Sequence, residues 1–240
     1  MKKIAFFSIY CLFTLTYLTS YAYAQVIEVY TELLPPFQTY HDNQLSGSAT
    51  KKVQQILFKA NLKTQFNIVP WARAFNTAKQ KENTLIFSMN RSPDREHHFH
   101  WLSVVAQIKN GFVALKKHKI KLSSIEDAKD YVTAVVRDSY AYEYLKSKGF
   151  TENKNLLVVG SRETQLNVFL SGKVDFLFLD LSYLQEKLHA NKLSPSLVEH
   201  AFTQPDWARD LYLAINKNSD EKLINELKTA IASIEKIPAP

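Results

Sequence analysis

Residues 86–96, with the sequence IFSMNRSPDRE, run from a short apolar stretch into a polar turn that holds two arginines. The apolar part, Leu85–Phe87, has the composition of a buried strand. Two similar stretches precede it, and apolar residues recur with helical spacing between the three. This first part of the chain therefore predicts a βαβαβ unit with a mostly parallel sheet. The earlier strands and helices are predicted at Val26–Tyr30, Ser48–Asn61, Phe66–Val69 and Trp71–Lys81.

The same alternation begins again in the second half of the chain. Strand-like stretches occur at Val132–Val136, Leu156–Val159 and Val174–Leu179. Helical segments follow each of them, and a last strand and helix close the chain. A second βαβαβ unit indicates two similar α/β lobes. These later segments are predicted at Ser139–Lys148, Arg162–Leu170, Ser182 to about Ala190, and Leu211–Ile215.

Polar residues follow several predicted strands directly. Open α/β sheets bind ligands beyond the carboxyl ends of their strands. Two facing lobes would place those ends on a shared cleft, so we expect the binding site there. The segments at such ends are Pro35–Phe37, Pro70–Arg73, Ser88–Arg95 and Asp180, and Asp138–Ala141 opens a helix whose N–H groups suit an anion.

The first 24 residues have the pattern of a cleaved export signal. Two lysines precede an apolar stretch, and Ala22-Tyr23-Ala24 matches a small–x–small cleavage site. Polar residues interrupt the apolar stretch, which disfavours the alternative of a membrane anchor. The single cysteine, Cys11, lies within this segment, so we expect a periplasmic protein without a lipid anchor or disulfides.

The composition excludes some classes of function. The formal net charge is +7, but no basic run is interleaved with aromatics, so we expect no nucleic-acid partner. His97, His98 and His100 are the one tempting metal cluster, yet no cysteine or close carboxylate pair completes it. Glu28, Glu32 and Glu143 are candidate catalytic carboxylates that no spacing pairs. We expect no cofactor or metal, and the role of the histidines stays open.

Several motifs occur in an order that resembles a known family. Leu34-Pro35-Pro36-Phe37, Pro70-Trp71-Ala72-Arg73-Ala74 and residues 86–96 are followed by Gly172-Lys173-Val174-Asp175. This ordered set is similar to the family 3 bacterial extracellular solute-binding proteins, mostly periplasmic receptors of polar amino acid ABC transporters. The resemblance covers nearly the whole chain after the signal.

The resemblance implies a two-lobed α/β fold of the periplasmic binding protein type II. Each lobe would be a mostly parallel sheet flanked by helices, with a hinge between the lobes. The first lobe would comprise residues 25–114 and 208–240, and the second lobe residues 115–207. The function implied is capture of a small polar, amino acid-like ligand by hinge closure in a monomer.

The resemblance also implies roles for single residues. Arg95 would form a two-pronged salt bridge to the ligand's α-carboxylate, a task that suits its planar fork. The backbone N–H groups of Asn90 and those near Ser139 and Tyr140 would complete the carboxylate site. A surface arginine that caps a helix is the alternative for Arg95.

The remaining implied contacts serve the ammonium group and the side chain of the ligand. Ser88 and Asp180 would hold the α-ammonium, although Asp180 is equally suited to cap the helix at Ser182. Trp71 and Phe37 would pack against the ligand's side chain, with a place in the core as the alternative for Trp71. Arg73 and Arg91 are weaker candidates, because both could be solvated.

Two departures from the family pattern leave the ligand's identity open. Arg137-Asp138-Ser139-Tyr140 stands where relatives commonly have a glycine followed by Ser or Thr, and Thr31 stands where an Asp is frequent. Two other functions also remain open. One is an enzyme like the cyclohexadienyl dehydratases on the same scaffold, and the other is a ligand sensor that partners a membrane signalling protein instead of an ABC permease.

Overall fold

The computed structural model describes residues 26–41 and 43–235. The predicted export signal with Cys11, and the predicted end of the chain at 237–240, lie outside these residues. Within the described ranges, no helix is both long and apolar enough to cross a lipid bilayer.

The first lobe is built on three parallel strands and one antiparallel strand. Strand β1 lies between β4 and β5 and pairs with both in parallel, and β11 pairs antiparallel with β5. A two-stranded hairpin and three helices complete this lobe. The strands are β1 (Ile27–Thr31), β2 (Thr39–His41), β3 (Gln44–Ser46), β4 (Thr64–Ile68), β5 (Thr84–Asn90) and β11 (Ala208–Asn216), and the helices are α1 (Ser48–Lys59), α2 (Trp71–Gln80) and α6 (Glu221–Glu235).

The second lobe repeats the parallel arrangement. Its strand β7 lies between β8 and β9 and pairs with both in parallel. Each of these strands is followed by a helix, as the sequence predicts. The strands are β7 (Thr133–Val136), β8 (Leu156–Val159), β9 (Phe176–Asp180) and β10 (Val198–Phe202), and the helices are α3 (Tyr140–Ser147), α4 (Arg162–Leu170) and α5 (Leu181–Ala190).

One long strand, β6 (Phe99–Leu115), belongs to both lobes. Its first part pairs with β11 as far as Lys109, and from Asn110 onward it pairs with β9. The predicted class, two α/β lobes with mostly parallel strands, is confirmed, with antiparallel strands added where the lobes join. The predicted lobe boundaries stay a prediction, although β6 already changes partner between Lys109 and Asn110.

The burial pattern explains why these segments form their elements. All seven residues of β5 are buried, as expected for a central parallel strand covered on both faces. Helix α1 buries Val53, Ile56 and Leu57 on one face. Burying each such side chain contributes roughly 1.5–3 kcal/mol before entropy is counted.

Gly47 fixes the approach of α1 to the turn that contains Phe37. Its φ is 106°, a conformation that L side chains rarely adopt, and a Cβ here would lie 2.3 Å from the Phe37 carbonyl oxygen. Glycine therefore allows the N-terminus of α1 to lie directly over this turn, where the amide of Ala49 donates to the same carbonyl.

Candidate functional site

A cavity lies between the two lobes, at the carboxyl ends of the strands. Its empty volume is about 530 Å³, including space open to solvent. Strands β1, β5 and β9 all end at its wall. This is the location predicted from the topology of open α/β sheets. The lining residues are Thr31, Glu32, Leu34, Gln38, Trp71, Phe87, Ser88, Asn90, Arg95, Ile108, Asn110, Ser139, Tyr140, Arg162, Leu179, Asp180, Tyr183 and Leu211.

Most of the predicted site residues meet at this cavity. They come from five separate elements or turns of both lobes, which only the fold brings together. The predicted residues in its wall are Trp71, Ser88, Asn90, Arg95, Ser139, Tyr140 and Asp180.

Three predicted residues do not line the cavity. Phe37 packs against the core of the first lobe. Arg73 is exposed because α2 turns Trp71 and Phe75, two positions to either side of it, toward the interior. Arg91 is held outside by Glu96, whose two carboxylate oxygens accept bonds of 2.6 Å and 2.8 Å from its Nε and Nη2.

Arg95 is buried at the junction of the lobes, with only 1% of its side chain exposed. Its Nε and Nη2 donate to Oε1 of Glu143 in the second lobe, over 3.1 Å and 2.7 Å. Its Nη1 donates to the Asn90 carbonyl over 3.1 Å. The guanidinium also lies 4.8 Å from the centre of the Phe75 ring. Arg95 is therefore held by several contacts. The Glu143 carboxylate already accepts from its Nε, so that edge of the guanidinium is occupied.

The backbone of Asp138 provides a second bridge between the lobes. Its carbonyl accepts from Arg95 Nη2 over 3.0 Å and from Trp71 Nε1 over 2.8 Å. Its side chain accepts from Asn76 Nδ2 over 3.0 Å. Asp138 has a φ of 57°, and Ser88 across the cavity has a φ of 59°. Both non-glycine residues adopt the left-handed conformation, which is costly and concentrates at functional sites.

A second ion pair crosses between the lobes in the wall of the cavity. Arg162, the first residue of α4, donates from Nε to Glu32 Oε1 over 3.0 Å, and its guanidinium lies 5.5 Å from the Tyr183 ring centre. Burial raises the pKa of Tyr183 to about 12. Burial opposes the charge of Arg162, but Glu32 and Tyr183 outweigh it, so the pKa of Arg162 lies above its usual value.

Glu32 is a predicted candidate carboxylate without a predicted partner, and Arg162 is not among the predicted site residues. The sequence positions of Glu32 and Arg162 do indicate a place at the cleft. Glu32 directly follows β1, and Arg162 opens the helix that follows β8, so both stand at the edge where the cleft was expected. Pairing them required the distance between the lobes, which no sequence spacing contains.

Asp180 ends β9 and caps α5. Its Oδ1 accepts from the Tyr183 amide over 3.1 Å, and its Oδ2 accepts from the Lys109 amide over 2.9 Å. The helix-capping alternative therefore describes a role that Asp180 does fill. It lines the cavity as well, so its negative charge remains available to a solute.

Gln38 lines the cavity and is fully buried. Its Nε2 donates to Ser88 Oγ. Its Oε1 has no hydrogen-bond partner among the described residues. A buried acceptor without a donor is costly, and this oxygen is also closed to solvent.

The histidine cluster lies away from this cavity. The rings of His97 and His98 are 3.9 Å apart, centre to centre. Burial lowers the pKa values of His98 and His100. Within the described ranges, no three His, Cys, Asp or Glu residues are grouped so that they could hold a metal ion.

Comparisons with known proteins agree with this architecture. The profile of the bacterial extracellular solute-binding proteins, family 3, matches residues 27–237. No curated protein matches the sequence significantly. A histidine kinase sensor domain with similarity to periplasmic binding proteins superposes with a TM-score of 0.75 at 16% identity, covering 88% of this chain and 91% of its own.

Two amino acid-binding proteins superpose similarly. Holo ArgBP from T. maritima gives a TM-score of 0.74 at 12% identity, covering 90% of this chain and 92% of its own. The arginine-, lysine-, histidine-binding protein ArtJ from Geobacillus stearothermophilus gives 0.72 at 16% identity, covering 88% and 91%. At such low sequence identities, these superpositions establish the fold but not the ligand. The ligand has to be inferred from the residues that line the cavity.

Proposed function

Because this chain belongs to family 3 of the bacterial extracellular solute-binding proteins, we propose that it captures a small polar solute between its lobes. The solute would be an amino acid or a close derivative, taken up in the periplasm by hinge closure. The observation that carries this proposal is the cavity itself, whose wall combines charged groups from both lobes. We assign no catalytic residue, since the family consists of binding proteins.

The charges in the wall suit a zwitterion. Arg95 and Arg162 supply positive charge, and Glu32 and Asp180 supply negative charge. A solute that carries a positive and a negative charge can form an ion pair with a side chain of each sign. The closed cavity strengthens these ion pairs by excluding water. Leu34 and Leu179 add apolar surface for a short carbon chain.

Closure is supported by the contacts that cross between the lobes. Arg95 reaches Glu143 and the Asp138 carbonyl, and Arg162 reaches Glu32. Contacts of this kind form only when the lobes approach, so they favour the closed state in addition to any solute. The predicted contact between Arg95 and a ligand carboxylate stays a prediction, and Glu143 would have to leave before a carboxylate could take the Nε side.

A thermal-shift screen with the twenty L-amino acids, small peptides and organic acids tests the proposal. A compound at 100 times its dissociation constant stabilises the folded protein by about 2.7 kcal/mol. For a chain of this length, that corresponds to a rise in Tm of about 5–11 °C. Glucose at the same concentration controls for general solute effects. If no compound raises the Tm beyond this control, the proposed capture of an amino acid-like solute is wrong.

The captured solute would serve ABC uptake, and a role as a ligand sensor is the second candidate. The second candidate is favoured by the likeness to a histidine kinase sensor domain. Adjacent genes separate the two. Permease and ATPase genes beside this one support uptake, whereas a gene for a membrane signalling protein supports sensing.

A further inference from the structure

The two arginines in the cavity wall differ in how many of their N–H groups are already used. Building on the solute capture proposed above, we propose that Arg162, rather than Arg95, binds the anionic group of the solute. The solute would then be a small carboxylic acid.

Arg95 has little capacity left for a solute. A guanidinium has five N–H donors. Its Nε and Nη2 donate to Glu143, Nη2 also donates to the Asp138 carbonyl, and Nη1 donates to the Asn90 carbonyl. Every nitrogen of Arg95 therefore has an acceptor in the protein. Both arginines face a carboxylate, Glu143 and Glu32, so they differ in their unused N–H groups and not in charge pairing. Its side chain is 1% exposed, so Arg95 ties the lobes together from within.

Arg162 has more unused N–H groups than Arg95. Its Nε donates to Glu32 Oε1, and its two terminal nitrogens make no hydrogen bond to the described residues. The side chain is 21% exposed and lines the cavity. The terminal nitrogens of a guanidinium form a fork that matches the two oxygens of a carboxylate. Arg162 thus keeps that fork free while Glu32 holds its Nε side in place.

The position of Arg162 in the fold adds to its preference for an anion. It is the first residue of α4, a helix of nine residues whose N-cap is Ser161. The N-terminal end of a helix carries a partial positive charge. Arg162 therefore reaches the cavity from a helix end that favours negative charge.

The unused fork of Arg162 decides which class of solute fits. An arginine fork matches the two oxygens of a carboxylate. Gln38 lines the same cavity, but its carbonyl oxygen is closed to solvent, so it offers a solute no contact. The fork of Arg162 fits an amino acid or a hydroxy acid, and it disfavours solutes without an anionic group.

Binding calorimetry with matched probes tests the assignment. The probes are the L-amino acid that shifts the wild-type protein most and the α-carboxamide of the same amino acid, which lacks the negative charge. If Arg162 contacts the carboxylate, Arg162→Gln lowers the affinity for the acid by roughly 10- to 100-fold. The affinity for the carboxamide changes by less than about 3-fold, since the lost contact was made to the carboxylate. Arg95→Gln should instead weaken acid and carboxamide by the same factor, because it loosens the closed state for both.

Arg137→Gln is the matched control, since Arg137 is exposed and its side chain makes no hydrogen bond to the described residues. It should leave both affinities unchanged. Arg162→Lys keeps the positive charge but not the fork, so it should lower the affinity for the acid by an intermediate factor and leave the affinity for the carboxamide unchanged. This variant replaces Arg162→Gln in the test if Arg162→Gln does not fold. If the Arg162 variants weaken acid and carboxamide equally, or weaken neither, Arg162 is at most a link between the lobes and the inference is wrong. If no amino acid binds the wild-type protein, the proposed function fails together with it.

Discussion

Replacing Glu143 by glutamine removes the negative charge that faces the buried guanidinium of Arg95. Breaking a fully buried ion pair by removing one partner costs about 3–5 kcal/mol. Here Arg95 is 1% exposed, but 21% of the Glu143 side chain is exposed, and glutamine retains an acceptor oxygen. We therefore expect Glu143→Gln to lower the free energy of unfolding by about 1–2 kcal/mol. In a chain of this length, that corresponds to a fall in Tm of about 2–8 °C.

Thermal unfolding followed by circular dichroism measures this change. Glu163→Gln is the matched control, because Glu163 lies in the first turn of α4 as Glu143 lies in the first turn of α3, and Glu163 is exposed. Its Tm should stay within about 1 °C of the wild-type value, as is usual for exposed positions. If Glu143→Gln changes the Tm no more than Glu163→Gln does, Arg95 is not held by Glu143 and the description of the closed state is wrong.

Two further predictions concern stability. Burial lowers the pKa of His200, as it does those of His98 and His100, below the ordinary value of 6.5. The unfolded chain therefore binds more protons than the folded chain as the pH falls below about 6.5, so stability is full above that pH and decreases below it. His200→Gln should flatten this dependence in a series of Tm measurements between about pH 5 and 7, and an unchanged slope would contradict it. Gly47→Ala should lower the unfolding free energy in urea by about 1–3 kcal/mol, whereas Gly160→Ala, where a Cβ meets nothing within 4 Å, should cost less than about 1 kcal/mol.

Much of the fold could be predicted because local patterns and long-range packing agree. The helix predicted at Arg162–Leu170 and the strand predicted at Leu156–Val159 have those bounds in the structure. The helix predicted from Ser182 begins at Leu181, because Asp180 supplies the cap. Strand β11 begins at Ala208, three residues before the predicted Leu211, because its outer part pairs with β6 at the junction.

The site was harder to predict than the fold. A motif identifies residues such as Arg95, but it does not show what those residues touch. Glu143 reaches Arg95 from the other lobe, 48 positions away in the sequence, and Glu32 and Arg162 are 130 positions apart. Such pairs depend on how the two lobes approach each other, which neither periodicity nor spacing records. That the terminal nitrogens of Arg162 are unused follows only from the hydrogen bonds among residues 26–41 and 43–235.

The most direct test of capture between the lobes is the distance between two spin labels, one on each lobe. Glu82→Cys and Lys154→Cys place the labels at exposed positions, and the single native cysteine, Cys11, lies in the predicted export signal. We expect a saturating concentration of an amino acid that binds in calorimetry to shift the distance distribution to one narrow, short component. If the distribution is the same with and without that bound amino acid, the solute is not captured by closure of the lobes.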